Sequence, residues 1–240
     1  MQLQYKNMTI NIRDDGKSVD DSAILKEVFE SGEYDICMPA LTSHSEAPVF
    51  LDIWANIGFF TLKYHAVNPK AKRYLFEPML ENYELLAANL QANNIQNAIA
   101  YNFGLLGWKT QETRSLHIAD NNNGWHSIYH IPGSTTTKQC VFKWIDARIE
   151  EQNILSIHFA KIDCEGSEFD ILMNSPVFIS RTQAMIVELH YFEKWGDDHA
   201  ISYSSLLDFL SQKGYTSTLV AKHEYSGEWV FYILFCTRNG

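Results

Sequence analysis

The chain has 240 residues, 46% of them hydrophobic and 13% aromatic, enough apolar material to fill one core of α/β size. Its formal charge of -10, from 19 basic and 29 acidic residues, excludes the broad positive field that nonspecific nucleic-acid binding requires, and the small patch at Lys70, Lys72 and Arg73 does not restore it. No basic-then-apolar leader and no apolar run near 18 residues is read, and four scattered cysteines lack CxxC spacing, so the expectation is a soluble cytoplasmic protein without membrane or nucleic-acid partners.

Residues 1–47 read as an N-terminal helical extension packed on a domain spanning 48–240. Ile24, Leu25, Val28 and Phe29 repeat as one helix face, with Asp20, Asp21 or Ser22 as its cap. Residues 32–48 read as a connecting loop with Gly32, Pro39 and Pro48. From there, apolar runs alternate with helical stretches. A strand at 49–53 precedes a helix at 58–65. A strand at 73–76 ends in Glu77-Pro78 and leads into a helix at 79–93, whose apolar residues include Met79, Leu80, Leu86 and Leu90. A third strand falls at 99–102. The segment 107–138, rich in Asn, Gly, Ser and Thr, reads as an active-site loop with a strand at 115–118 at most. A strand at 156–163, a short helix in "CEGSEFDILMNS", a strand at 184–189 and a helix at 204–213 stopped by Gly214 come next. The β-rich runs 215–221 and 229–237 make a terminal hairpin. The whole is an α/β pattern: a mostly parallel sheet with helices on both faces and an antiparallel end.

In such a sheet, ligands bind beyond the carboxyl ends of the strands, where strand order reverses. Polar residues gather at those ends: Asp52, Asn56 and Gly58 after the first strand, Glu77 after the second, Asp163 and Glu165 after 156–163, and Glu188 and His190 at the next. Glu77 lies 19 residues beyond Gly58, the placement in which an acid accepts the hydroxyl protons of a ribose lying over the first loop. A dinucleotide loop would want three glycines where this chain has one, which argues against NAD.

The segments "FLDIWANIGFFTL", "FEPMLENYELLAANL" and "KIDCEGSEFDIL", with "IVELH" after them, resemble the FkbM family of S-adenosylmethionine-dependent methyltransferases over roughly residues 28–195. The resemblance implies a class I methyltransferase, Rossmann-like fold, a seven-stranded sheet whose last strand runs antiparallel. It also implies S-adenosylmethionine as cofactor, with the first loop (Asp52, Trp54, Ala55, Asn56, Gly58) facing its amino acid part. Glu77, beside Pro78 and near Asn82, would bind its ribose, and Phe103 and Gly104 would edge its adenine. Asp163 would lie near the sulfonium or the acceptor. The family pattern Asp-x-Gly-Ala-Asn-x-Gly is met at Asp52, Ala55, Asn56 and Gly58 and broken at Trp54.

Methyl transfer to oxygen needs alignment and removal of the acceptor proton, so Asp163, Glu165, Glu188 and His190, with His126 behind them, are the candidate bases. The family suggests a small hydroxylated metabolite or a glycan as acceptor, set by 107–138 and by 191–203 with Tyr191, Phe192 and Trp195. Plainer readings stand beside these. Asp163 and Glu165 also read as ion-paired around Lys161, Glu77 as the cap of the next helix, and His190 as a structural histidine. The histidines lack zinc-ligand spacing, and strand-end acids bind a divalent ion only if the fold gathers them, so no metal is assigned. Oligomeric state is left open. At position 54 three arrangements remain: the indole turned into the sheet-helix layer, the indole occluding the cofactor site, as in a non-catalytic binding or scaffold relative, or the indole facing the sulfonium.

Overall fold

The computed structural model describes residues 1–42, 47–109, 111–131, 133–192, 203–225 and 229–239. It begins with a hairpin, β1 (Gln2–Tyr5) and β2 (Met8–Asn11), then helix α1 (Asp21–Glu30), a 3-10 turn and a short α2 (Met38–Thr42). Of the three candidate caps for α1, Asp20 is used: its carboxylate accepts the Ala23 N–H at 2.9 Å. The βα alternation continues as β3 (Val49–Ile53), α3 (Phe59–Val67), β4 (Lys72–Phe76), α4 (Leu80–Ala92) and β5 (Ala98–Tyr101). Next come β6 (Gly104–Leu106), β7 (Gln111–Ile118), β8 (His126–Ser127), β9 (Thr136–Trp144) and α5 (Ile145–Glu151). The remainder is β10 (Ile157–Ile162), α6 (Glu168–Asn174), α7 (Pro176–Arg181), β11 (Thr182–Phe192), α8 (Tyr203–Gln212), β12 (Tyr215–Tyr225) and β13 (Trp229–Arg238).

Seven strands pair in the order β12-β13-β11-β10-β3-β4-β5. β11, β10, β3, β4 and β5 are parallel, whereas β13 runs antiparallel to β11 and β12 on either side of it. The parallel strands are apolar because both sheet faces are covered. Period-two alternation sends Leu51 and Ile53 of β3 to one face and Phe50 to the other, and two hydrophobic clusters result. One holds Trp54, Phe76, Phe103, Phe142 and Val187; the other holds Phe50, Ala55, Phe60 and Phe159. The N-terminal hairpin and α1 add Ile10, Leu25 and Val28 to the second, and Ile12, just after β2, joins them. Strand order reverses at β3 and β10, so the crevice lies beyond their carboxyl ends.

The structure departs from expectation in three places. Residues 32–48, expected as a connecting loop, contain the 3-10 turn and α2. Residues 107–138, expected to be mainly loop, contribute to a second sheet of order β6-β9-β7-β8 that covers the first cluster with Leu116 and Phe142. The N-terminal extension contains a two-stranded hairpin as well as helix. The terminal hairpin forms as β12 and β13, its tip 226–228 lying outside the described residues, as do Trp195 and the rest of 193–202.

Candidate active site

The turn after β3 fixes the site's centre. Trp54, Asn56 and Gly58 all have positive φ (68°, 50° and 94°), a left-handed conformation that costs a side-chain-bearing residue about 1–2 kcal/mol. The turn is held from both sides. The Trp54 and Ala55 N–H groups donate to the Phe76 carbonyl, each at 2.9 Å, and the Lys161 ammonium donates to the Trp54 carbonyl at 3.0 Å. At Gly58 a Cβ would come within 2.6 Å of the Leu86 side chain, so α3 can start this close to α4 only without one.

On the β4 side this turn meets a dry wall. The Trp54 ring, 4% exposed, lies 5.9 Å from the Phe142 ring and in one cluster with Phe76, Met79 and Phe103. Glu77 is fully buried; one carboxylate oxygen accepts the Asn56 N–H at 2.8 Å, the other the Met79 N–H at 2.9 Å and the Asn82 amide at 3.4 Å. Burial outweighs those bonds and pushes its carboxyl up to about 7. The Asn82 carbonyl in turn accepts from the Arg13 guanidinium at 2.6 Å. Pro78 offers its carbonyl to Asn102, Phe103 packs between Phe76 and Tyr101, and Gly104 sits where a Cβ would meet the Phe142 ring. Asp52 is inside the fold, one oxygen accepting the Thr61 hydroxyl at 2.6 Å.

On the β10 and β11 side a cavity of about 430 Å³ opens. Ala55 and Asn56 border it, Asp163, Glu165, Glu188 and His190 line it together with Glu27 and Lys161, and Val28, Phe60, Trp125 and Phe231 are among its apolar lining. The structure thus gathers the four candidate bases in one place with two first-loop residues. Trp54, Glu77, Asn82, Phe103 and Gly104 do not line this cavity.

The polar wall is a linked set of charges. Asp163 pairs with Lys161 at 2.9 Å. His190 Nε2 lies 3.3 Å from Glu165 and 3.5 Å from Glu188, while its Nδ1 lies 3.1 Å from Glu168 Oε1. Glu168 is fixed in turn, accepting the Cys164 N–H at 2.6 Å and the Gly166 N–H at 2.9 Å. That turn places Glu165 at a φ of 51°, and the Ser127 hydroxyl donates to its carbonyl at 2.5 Å. Tyr34 donates to Glu188 at 2.8 Å.

Burial alone would lower the His190 value, but Glu165 and Glu168 raise it well above the ordinary one. Burial raises the Asp163 and Glu165 carboxyls against the pull of Lys161 and His190 respectively. Glu188 goes the other way: bonds from His190 and Tyr34 overcome its burial. His126 lies elsewhere, 2% exposed in β8, burial bringing it down to about 3, and its ring nitrogens have no hydrogen-bond partner among the described residues. Asn56 and Asn123 likewise keep a buried carbonyl oxygen unpartnered. Sequence reasoning missed Tyr34, Glu168 and the roof of the cavity, which 19–34 and 122–125 supply.

Several known proteins are similar to this chain. A precorrin-6y C5,15-methyltransferase from Geobacter metallireducens superposes with a TM-score of 0.48 at 11% identity, covering 95% of this chain and 98% of that one. The N-terminal domain of EvdMO1, crystallised in the presence of SAH and D-fucose, gives 0.51 at 10% identity over 88% and 84% of the two chains. A curated sequence, Methyltransferase 1 of Beauveria bassiana (strain ARSEF 2860), is 24% identical over 169 residues, 62% of this chain and 65% of that protein's length. The fold is that of the class I methyltransferases, for which S-adenosylmethionine is the cofactor. Residues 52–217 match the methyltransferase FkbM domain, and the chain belongs to that family.

Proposed function

We propose that this chain is an S-adenosylmethionine-dependent O-methyltransferase acting on a small hydroxylated metabolite or a glycan unit held in the cavity under α1. The observation that carries the reading is the shared cavity: the first-loop residues Ala55 and Asn56 face the same space as Asp163, Glu165, Glu188 and His190. A sugar, D-fucose, present with the EvdMO1 domain is in keeping with an acceptor of this kind.

When bound, the cofactor supplies a methyl group on a sulfonium, already a good leaving group. The chain's part is to position and to take a proton. Asn56, which lines the cavity, offers a carbonyl oxygen with no hydrogen-bond partner among the described residues. Asp163 and Glu165, their carboxyls raised by burial, are the proton acceptors for the hydroxyl of the acceptor. His190 stays charged and orients the carboxylates around it. Glu77, whose oxygens already accept from Asn56, Met79 and Asn82, keeps lone-pair room for a ribose hydroxyl.

Trp54 favours a second reading. Its buried indole packs among Met79, Phe103 and Phe142, beside the acid assigned to the ribose, and in a non-catalytic relative it would fill the adenosine place permanently. Calorimetric titration with S-adenosylmethionine and with S-adenosylhomocysteine separates the two. Saturable heat with both supports the enzyme, and no heat with either at millimolar ligand leaves the occluded binding protein. If binding is found, Glu77→Ala weakens it; an unchanged affinity removes Glu77 from the ribose.

A further inference from the structure

We infer that Asp163, Glu165 and His190 form a binding site for a divalent transition-metal ion at the carboxyl ends of β10 and β11. One ligand atom from each lies within 4.8 Å of the others, at the cavity wall. Ligands on a common ion at about 2.0–2.2 Å stand roughly 3–4 Å apart, so small side-chain rotations close the set.

Two further observations point to a cation. The first is the imidazole's orientation. Nδ1 faces Glu168 at 3.1 Å, and Glu168 is itself tied to the Cys164 and Gly166 N–H groups, which leaves Nε2 aimed between Glu165 and Glu188. A carboxylate on the far nitrogen is how proteins hold a metal-ligating histidine in one tautomer. The second is uncompensated charge. Asp52, Asp163, Glu165, Glu168 and Glu188 converge here, and among the described residues these ion pairs offer them only Lys161 and a proton on His190, which a divalent ion would replace with a larger charge. Asp52, fully buried, keeps one oxygen with no hydrogen-bond partner, 4.0 Å from the Lys161 ammonium that also serves Asp163. Buried carboxylates in excess call for a further positive charge.

One imidazole nitrogen with two carboxylates suits Mn²⁺ or Zn²⁺ better than Mg²⁺ or Ca²⁺, which prefer oxygen alone. The ion changes the division of labour in the cavity. Asp163, Glu165 and His190 become ligands, His190 releasing its Nε2 proton to solvent as the ion binds; an acceptor hydroxyl on the ion is acidified by it, and Glu188, held by Tyr34, is left to take the proton. The site shares the cavity with the methyltransferase reading but does not rest on it.

The test uses the full chain stripped with EDTA, with neither S-adenosylmethionine nor S-adenosylhomocysteine present, so its failure is separate from that of the cofactor reading. Mn²⁺ is titrated in while the free-ion electron paramagnetic resonance signal is monitored. The native chain takes up one equivalent, Zn²⁺ competes for it, and Asp163→Asn and Glu165→Gln each weaken uptake about tenfold or more while circular dichroism stays native. No uptake by the native chain, or equal uptake by the folded variants, overturns the site. The native titration with Zn²⁺ competition stands even if a variant fails to fold.

Discussion

At the end of β4 the side chains beyond the strand close on one another, whereas at the ends of β10 and β11 they face a cavity. Trp54, Glu77 and Phe103 are buried among neighbours that satisfy or pack them, and Asp163, Glu165 and His190 border open space. One turn, residues 54–58, serves both halves: its Trp54 side chain belongs to the dry half and its Asn56 side chain to the wet one. The contrast teaches that a motif can be nearly complete in sequence while a single side chain divides its residues between packing and access.

The substitution that strikes hardest at this contrast is Trp54→Gly. Loss of a buried indole costs about 3–5 kcal/mol, offset by about 1–2 kcal/mol because glycine accepts the left-handed backbone there. The variant should unfold at lower urea concentration; on the occluded reading it also binds S-adenosylhomocysteine at least about tenfold more tightly, the gain expected when a pocket no longer has to displace its own filling. Unchanged affinity, measured by calorimetry, would show that the dry half does not exclude the cofactor.

A slightly smaller effect comes from pH and involves both halves. The folded-state value of Glu77, about 7, lies above its unfolded one, so between roughly pH 4.5 and 7 the folded chain holds more protons and stability falls as pH rises, by up to about 3 kcal/mol. Asp163 and Glu165 are raised and act in the same sense. His190 is raised too: its contribution is complete below its unfolded value and is lost as pH rises through the folded one. Glu188 alone of this set opposes the trend. The urea midpoint should therefore decline from about pH 5 to about pH 8. A flat or rising profile would mean that a positive charge from outside both halves compensates their buried carboxyls.

The smallest effect belongs to Tyr34→Phe, which deletes the hydroxyl on Glu188 and leaves the ring's packing in place. A loss of about 1–2 kcal/mol in unfolding free energy is expected. A loss within error would place the Tyr34 hydroxyl among contacts that solvent replaces freely.

Much of the fold was legible because parallel strands carry unbroken apolar runs and helices carry a 3.6-residue period, as in β3, β4 and α4. β7 was barely legible. Its alternation exposes polar residues on one face, and only Leu116 and Ile118 at its end are buried. The hairpin β1–β2 was hidden for the same reason, with four residues to each strand. The candidate bases could be picked out because an α/β sheet presents the residues at its strands' carboxyl ends to the ligand crevice. Tyr34 could not, since it meets Glu188 across 154 residues and no local pattern announces that contact. Glu168 read as an ordinary residue of a short helix; its work in holding both the 164–166 turn and His190 depends on a left-handed Glu165, which composition does not reveal.

The bridge at Val19 has a consequence for how this protein can vary. Val19 donates to the Asn121 carbonyl at 3.0 Å and accepts the Asn123 N–H at 2.9 Å, joining the stretch before α1 to the turn that leads into β8. The family match begins at residue 52, so the cavity's floor belongs to the shared domain and the part of its ceiling made by 19–34 does not. On the proposed reading, the groups that take the proton and part of the surface that meets the acceptor thus lie on different stretches of chain. Exchange of 19–33 with Tyr34 retained would redraw the shape the proposed acceptor must have and keep the bond that holds Glu188 beside His190.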